Sequence, residues 1–276
     1  MSQRSSFRLL AIGAAGAAAA LASPAAFAAQ ATAAPDLHHA HAAQVGAAAA
    51  GHESHALLGR GNSKSSRSGR HSTEETNNWS GYVATGSAGS YTSVSSSWIQ
   101  PSITCTGTQT ASSFWVGLDG AGNSALEQTG TEADCIDGQA EYGAWWEVLP
   151  ANESPYSVTV EPGDSLTASV VDNGDGTFTM TLTDSTQGWT KTTTNAGSPG
   201  YQDATAEVIA EATEVNGQIA ALSDFGSVSF TGATVNGSSL DASSPTEFVM
   251  VGDSDIKAQP GALSGGSFTD TWEAAN

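Results

Sequence analysis

Basic side chains are scarce in this 276-residue chain, and they are almost absent from its larger part. After Ser72 there is no histidine, no arginine and only two lysines, Lys191 and Lys257. A serine or cysteine protease triad needs an imidazole base, so that chemistry is excluded there. A histidine-ligated zinc site and an arginine clamp for phosphate are excluded as well. Catalysis in this region would therefore depend on carboxylates and neutral amides, and we expect no metal and no other cofactor.

Acidic residues, in contrast, are in large excess over basic ones. Of the 28 Asp and Glu residues, all but Asp36 and Glu53 follow Ser72, so 26 acids against two lysines give this part a formal charge of −24. Such a charge excludes nucleic acid as a partner. Most carboxylates are protonated below about pH 3, and few cations are present to form the ion pairs whose loss unfolds proteins in acid. The composition therefore favours acid tolerance; the alternative is a generic, soluble extracellular protein.

Residues 1–28 have the pattern of a secretory signal peptide. Arg4 and Arg8 precede an apolar, alanine-rich run from Leu9 to Leu21, and Ala26 to Ala28 form an A-x-A cleavage site. The apolar run is too short to span a bilayer. We therefore expect a secreted, extracellular protein with no stable membrane association.

Residues 29–72 differ in composition from everything that follows. They contain all six histidines and four of the basic residues but few large apolar ones, which predicts disorder. The segment could be a histidine-rich metal tract, a linker or a propeptide, and we favour a propeptide. Its histidines gain charge near pH ~6.5 and the carboxylates lose theirs near pH ~4, so attraction to the acidic remainder should collapse in acid and release the segment.

Residues 73–276 are predicted to form one β-rich domain. Asn173 to Gly176 is a strong hairpin signal, and a calcium loop there would lack its closing glutamate. The first half of the segment 204–214 is predicted to be a buried strand. Short alternating runs separated by turns indicate an all-β sandwich or barrel; they are 156–160, 165–170, 177–183 and 227–230.

The two cysteines, Cys105 and Cys135, predict a disulfide in an exported protein. The bridge would close a loop of about 30 residues and contribute roughly 3–4 kcal/mol in the chain-entropy model. The alternative, a cysteine nucleophile, has no histidine partner in this region.

Several motifs rich in aromatic, glycine and acidic residues follow one another in a set order: 77–82, 114–120, 126–130, 142–147, 206–211 and 224–228. In order and spacing they resemble the glutamic endopeptidases, the eqolisin family, from Asn78 to about Phe230. The resemblance implies a jelly-roll (concanavalin A-like) antiparallel β-sandwich of two seven-stranded sheets. It also implies an acid endopeptidase that acts on protein or peptide substrates, and we expect a monomer.

The resemblance assigns the catalytic glutamine to Gln128, within Leu-x-Gln-Thr-Gly, and the catalytic glutamate to Glu207, within Ala-Glu-x-Ile-x-Glu. The chain departs from the family pattern at Val208, usually a tryptophan, and at Trp146, usually a tyrosine, which affects subsite preference more than the reaction. The substrate-cleft positions implied by the family are Trp79, Trp115, Asp119 and Trp146.

The chemistry of these two residues suits hydrolysis in acid. A glutamate with a pKa near ~4 remains ionised as a general base, and the amide of Gln128 is a pH-independent donor for an oxyanion. The hypothesis requires Gln128 and Glu207 to share one sheet face within reach of solvent. The alternative interpretations are a hydrogen bond within the sheet for Gln128, a solvated position for Glu207, core positions for the tryptophans and a turn position for Asp119.

The main rival function is carbohydrate binding or glycoside hydrolysis on a lectin-like jelly roll. A glycosidase needs two carboxyl groups roughly 5 to 10 Å apart, and Glu147 and Glu207 are the candidates. A pepsin-like enzyme is less well supported, because the chain has no paired Asp-Thr/Ser-Gly motifs.

Overall fold

The computed structural model describes residues 52–54, 66–68, 71–105 and 109–276. The predicted signal peptide and most of the predicted propeptide lie outside the described residues, and their boundaries stay predictions. Two short strands within 29–72 are described by their backbone, and both pair with strands that include residues of the 73–276 domain.

The described residues are almost entirely β-strands and loops, and the one helix among them is a 3-10 turn, Leu240–Ser243. In chain order the strands are β1 (His52–Ser54), β2 (Ser66–Ser68), β3 (His71–Thr76), β4 (Trp79–Thr85), β5 (Ser93–Ile99), β6 (Ser113–Leu118), β7 (Glu127–Ile136), β8 (Gln139–Val148), β9 (Ser154–Pro155), β10 (Ser165–Asp172), β11 (Thr177–Asp184), β12 (Trp189–Ala196), β13 (Thr205–Glu211), β14 (Glu214–Val215), β15 (Gln218–Ile219), β16 (Ser227–Val235), β17 (Ser238–Ser239), β18 (Thr246–Val251), β19 (Ile256–Pro260) and β20 (Phe268–Trp272).

The strands form two antiparallel layers, which confirms the predicted all-β sandwich. The first layer has the order β9-β8-β7-β6-β13-β4-β18. The second has the order β12-β11-β10-β5-β16-β20-β19. β18 also pairs with β19, which joins the layers at one edge, and β3 runs parallel to β18. β10 and β11 pack over β6 and β7.

The main core lies between the two layers. Successive strand side chains point to opposite faces, so β11 directs Phe178, Met180 and Leu182 inward and the threonines between them outward. β6 contributes Phe114 and Val116 to the same core. Burying each such side chain stabilises the fold by about 1.5–3 kcal/mol, and this alternation fixes which residues of each strand can face solvent or substrate.

The outer side of the second layer is covered with hydroxyl groups. We call the outward side chains of β12, β11, β10, β5 and β16 the hydroxyl face. Neighbouring strands place serine and threonine side chains opposite one another, as in Thr183–Thr190 at 3.0 Å and Ser97–Thr167 at 2.8 Å. None of the outward positions of these five strands has a charged side chain.

Most of the local predictions hold. Asn173 to Gly176 forms the turn between β10 and β11, and the predicted buried strand at the start of 204–214 is β13. The strand predicted at 156–160 is wrong. The Tyr156 N–H bonds to the Ala144 carbonyl, but the chain then turns so tightly that the Val158 N–H donates to the Tyr156 carbonyl. Alternation alone could not reveal this turn.

The predicted disulfide is confirmed. Cys105 and Cys135 are bonded, with their Cα atoms 5.5 Å apart. Cys135 is fully buried near the end of β7, so the bridge anchors the segment before β6 to a central strand of the first layer.

Candidate active site

The outer side of the first layer differs completely from the hydroxyl face. We call the outward side chains of β4, β13, β6, β7 and β8 the site face. Its middle row pairs Ile209 with Trp115, Gly130 and Trp145. The row on one side aligns Glu207, Gly117, Gln128 and Glu147, one from each strand.

Gln128 and Glu207 share this face and flank a glycine. Both are in register with Gly117, Gln128 from β7 and Glu207 from β13. Two strand spacings of about 4.8 Å separate their Cα atoms by about 10 Å. Because Gly117 has no side chain, no side chain of the intervening strand position separates Gln128 from Glu207. Trp115 and Leu126 border the space above Gly117, and an added Cβ would approach them to 3.0 and 3.1 Å.

The amide of Gln128 is oriented by a carboxylate. Its Nε2 donates to Glu147 Oε2 at 2.6 Å, and its Oε1 has no hydrogen-bond partner among the described residues. One N–H of the amide is therefore engaged, while the second N–H and the carbonyl oxygen remain available for a ligand.

Glu207 lies in a dry environment. Neither of its carboxyl oxygens has a hydrogen-bond partner of regular geometry among the described residues. Burial raises the pKa of Glu207 well above its usual value; the Thr205 hydroxyl lowers it somewhat, and repulsion from Asp119 and Glu127 raises it again. Burial therefore favours the protonated form of Glu207 in this closed arrangement.

Glu211 shows what a structural carboxylate on the same strand looks like. It lies on the same face of β13 and is also fully buried. Its Oε2 accepts from Trp115 Nε1 at 2.8 Å, and its Oε1 accepts from Asn78 at 3.4 Å. Trp115 in turn packs edge-on against Trp79, with ring centroids 4.9 Å apart. Glu211 thus fixes the aromatic wall beside the Gln128–Glu207 row.

Asp119 organises the chain that leads into β13. It follows β6 with a φ of 67°, and its carboxylate accepts the backbone N–H groups of Gln202 at 2.6 Å, Asp203 at 2.9 Å and Ala204 at 3.0 Å. Asn123 donates to the same carboxylate at 2.8 Å. Asp119 is fully buried, so in this structure it positions the entry to the Glu207 strand rather than lining an open cleft.

The structure does not bring Trp146 to the site face. Its side chain packs against the main core between the layers, because adjacent residues of β8 point to opposite faces. The neighbours Trp145 and Glu147 are the β8 residues that reach the Gln128 side. The alternation of side chains along the strand predicts that Trp146 faces away from Trp145 and Glu147. The family resemblance had instead assigned Trp146 to the substrate cleft.

The site is closed in this structure. Gln128 and Glu207 have no exposed surface, and Trp79 and Trp115 have none either. The requirement for a shared face is met, whereas the requirement for solvent access is not. An apolar cluster occupies this side of the first layer; its described members are Trp79, Val83, Trp115, Leu126, Trp145, Leu149, Ile209 and Phe248.

Two further buried acids stand close to the site, and sequence reasoning had not singled them out. Burial raises the pKa of Glu127 to about 8, although the Ser198 N–H, donating at 2.6 Å, lowers it. Burial also raises the pKa of Asp203 to about 6, with repulsion from Asp172 and Asp119. Their burial depends on the packing of the 198–204 segment, which no local pattern predicts.

The described residues show no group of three or more His, Cys, Asp or Glu side chains arranged to hold a metal ion. Nor does any helix in the described part have the length and apolar character to cross a membrane. The arrangement brings together a carboxyl group, an amide and an apolar wall, which is a set suited to acyl transfer to water.

Comparison with known proteins agrees with this chemistry. The family model "Peptidase A4 family" matches residues 77–263. The chain belongs to this family. It is 29% identical to Aspergillopepsin-2 of Aspergillus niger over 229 residues, which cover 74% of this chain and 80% of that protein.

Solved structures of glutamic peptidases share the fold. Scytalido-glutamic peptidase with a transition state analog inhibitor has a TM-score of 0.63 and 26% identity, covering 71% of this chain and 98% of its own. Aspergilloglutamic peptidase from Aspergillus niger has a TM-score of 0.54 and 31% identity, covering 59% of this chain and 99% of its own.

The family membership establishes the reaction class. The chain is a glutamic-type endopeptidase, a hydrolase that cleaves peptide bonds in protein or peptide substrates. The match ends at residue 263, so β20 lies beyond it, and the carbohydrate alternative has no support among these relatives.

Proposed function

We propose that this protein is a secreted acid endopeptidase in which Glu207 activates water and Gln128 stabilises the oxyanion. The observation that carries the proposal is the register row, which places the two side chains on one face with only Gly117 between them. The pair fits the need for a base and a separate donor on opposite sides of one reacting carbonyl.

The proposed reaction uses one water molecule and no other reagent. Ionised Glu207 takes a proton from the water as its oxygen bonds to the scissile carbonyl carbon. The π electrons of the carbonyl group move onto the carbonyl oxygen. The resulting oxyanion accepts a hydrogen bond from the free N–H of Gln128. Glu207 then gives its proton to the amide nitrogen as the C–N bond breaks, which yields a carboxylic acid and an amine.

Glu147 has a positioning role in this scheme. Its hydrogen bond at 2.6 Å holds one N–H of Gln128 Nε2 toward Glu147 and so fixes the orientation of the amide, whose second N–H would serve the oxyanion. Without that bond the amide could rotate by half a turn and present its oxygen to the developing oxyanion, which would be repulsive. Trp79 and Trp115 supply an apolar wall for an extended peptide, since their rings are fixed by their mutual contact and by Glu211.

We further propose that the full-length chain is an inactive precursor. The supporting observations are the complete burial of Gln128 and Glu207 and the raised pKa of Glu207. A base that holds its proton cannot activate water, and contact with water lowers the pKa of a buried carboxyl toward its usual value. Removal of residues 1–28 on export, and of residues 29–72 in acid, would give a mature domain from about Thr73. We propose that this domain acts as a monomer.

Acid digestion of casein tests the two catalytic assignments. Gln128→Ala and Glu207→Gln should each lose at least about a thousandfold in kcat and should leave the circular dichroism spectrum unchanged. The control is Glu161→Gln, an exposed glutamate that does not belong to the site face, which should retain the full kcat. If Glu207→Gln digests casein as fast as wild type, the assignment of the base is wrong.

Comparing residues 29–276 with residues 73–276 tests the precursor. At pH 6 the longer chain should be inactive. After a shift to pH 3.5 it should gain activity together with a new N-terminus near residue 73, whereas the shorter chain should be active at once. Equal immediate activity of the two chains would contradict the precursor and leave the catalytic assignment intact.

A further inference from the structure

Glu207 has four nearest neighbours on the site face, and only one of these four has a side-chain hydrogen-bond donor. Val83 of β4 and Gly117 of β6 lie opposite Glu207 on the two adjacent strands. Thr205 and Ile209 lie two residues away along β13, on the same face because strand side chains alternate. Val83 and Ile209 are apolar and Gly117 has no side chain, so the available donor is the hydroxyl of Thr205.

No cation lies on the strands around Glu207. The strands β4, β13, β6, β7 and β8 are all described, and none of them contains a lysine, an arginine or a histidine. Asp119, which follows β6, and Glu127, at the start of β7, repel a negative charge on Glu207. A charged Glu207 therefore depends on a neutral donor. The other acids of the site face are Glu211 of β13, Glu132 and Asp134 of β7, and Glu141 and Glu147 of β8.

The Thr205 hydroxyl is buried and is not used elsewhere. Only 1% of Thr205 is exposed, and its Oγ1 has no hydrogen-bond partner of regular geometry among the described residues. The same holds for both carboxyl oxygens of Glu207. Buried polar atoms without a partner are uncommon in folded proteins, and here two such groups are neighbours on one strand. The hydroxyl already lowers the pKa of Glu207 in the closed structure.

The backbone on both sides of Thr205 is held in place. The Thr205 carbonyl accepts the Asp119 N–H at 3.0 Å, and the Asp119 carboxylate accepts the Ala204 N–H at 3.0 Å. On its other side Thr205 pairs with Thr85 of β4. Threonine is also restricted in χ1, so its hydroxyl loses little further freedom when it bonds to Glu207.

We propose that Thr205 is a positioning residue for the peptidase reaction, whose hydroxyl donates to ionised Glu207 and holds this carboxylate beside Gly117. The inference rests on the proposed role of Glu207 as the base, and Thr205 acts through that base without touching the substrate. A donor to the charged form of an acid favours that form. Thr205 therefore keeps Glu207 ionised further into acid than its burial and the repulsion from Asp119 would otherwise allow.

The pH profile of kcat tests this role. The full chain is held at pH 3.5 so that any activation is complete, and kcat and KM are then measured on one peptide substrate between pH 2 and 6. Because the base must be ionised, kcat rises with pH through the pKa of Glu207. Thr205→Val, which removes the hydroxyl at nearly constant volume, should move this rising limb up by about half to one pH unit. In strong acid kcat should then fall about three- to tenfold, while KM stays within about twofold.

Two further variants separate the hydroxyl from the rest of the side chain. Thr205→Ser keeps the hydroxyl and should restore the wild-type limb. Thr85→Val removes an exposed hydroxyl from the paired residue of β4 and should leave the limb unchanged. If Thr205→Val does not fold, Thr205→Ala removes the same hydroxyl and is read in the same way. A limb that stays in place without the hydroxyl, or that moves as far in Thr205→Ser, overturns the proposal.

Glu207→Gln, measured alongside, separates this inference from the proposed function. If Glu207→Gln is active, the base itself is wrong and the role of Thr205 falls with it. If Glu207→Gln is inactive and the limb of Thr205→Val has not moved, the base stands and only the role of Thr205 is contradicted.

Discussion

The two outer faces of the sandwich are built from the same kind of antiparallel sheet but present opposite chemistry. The hydroxyl face has paired serine and threonine side chains and no charged residue. The site face has tryptophans, a glutamine and carboxylates, and its catalytic row is fully buried. One face therefore behaves alike at every pH, whereas the properties of the other depend on which carboxyl groups hold protons. We therefore expect the pH dependence of stability and activity to arise in the interior and on the site face.

The largest expected effect is on the pH dependence of stability. Burial raises the pKa of Glu127 and of Asp270 to about 8, and Asp270 also accepts from Ser80 at 2.9 Å. The unfolded chain releases these protons near pH ~4. Stability is therefore fully present below about pH 4 and is lost between pH 4 and 8, by about 1.4 kcal/mol per pH unit for each group.

Urea unfolding of the 73–276 chain at pH 4, 5, 6 and 7 measures this loss. Asp270→Asn should flatten the slope by about 1.4 kcal/mol per pH unit. High salt screens repulsion between surface charges but hardly affects buried groups, so a salt series separates the two causes. A flat profile between pH 4 and 7 would contradict buried, protonated carboxyls.

The second expected effect concerns Gly117, which lies between Gln128 and Glu207 on the site face. A methyl group at position 117 would lie 3.0 Å from Trp115, 3.1 Å from Leu126 and 3.3 Å from the Gln128 Cβ. Gly117→Ala should therefore misplace Gln128 and lower kcat about a hundredfold, with a stability cost of about 1–3 kcal/mol. The measurement is kcat in acid together with the free energy of unfolding.

The matched control for this substitution is Gly261→Ala in the other layer, where the added methyl would meet only the Thr269 carbonyl, at 3.3 Å. It should leave kcat unchanged. An unchanged kcat in Gly117→Ala would show that the space between Gln128 and Glu207 is not used.

The smallest expected effects are on stability, and they differ between an interior threonine and a threonine on the hydroxyl face. Thr131 is buried, donates to Gln100 at 2.6 Å and accepts from Trp98 at 3.1 Å, so Thr131→Val should cost about 1–3 kcal/mol. Thr181 pairs with Thr192 at 3.3 Å on the surface, and Thr181→Val should change stability by less than about 0.5 kcal/mol. Thermal unfolding in acid compares the two, and equal losses would contradict the contrast between the faces.

Some elements of the fold could be predicted from short stretches of the sequence. The turn at Asn173 to Gly176 and the strand containing Glu207 follow from short-range patterns. The Cys105–Cys135 bridge was predicted because the chain has two cysteines and is expected to be exported. The prediction failed at 156–160 because alternation does not register a tight turn, here the one in which the Val158 N–H donates to the Tyr156 carbonyl.

The site itself was only partly accessible from the sequence. Pairing in register is a long-range property, so the position of Gly117 between Gln128 and Glu207 could not be read from spacing. The bond from Gln128 to Glu147 and the clamp made by Asp119 depend on the same pairing. Burial of the row is likewise a tertiary property that no local pattern reveals, and the expected open cleft is closed in this structure.

A double-mutant cycle on kcat in acid tests most directly whether Gln128 and Glu207 act on the same water across Gly117. The wild type, Gln128→Ala, Glu207→Gln and the double variant are compared on one peptide substrate. Residues that act as one unit lose their contribution together, so the double variant should be no slower than the slower single variant. Losses that multiply would show that the two side chains act independently and would contradict the shared site.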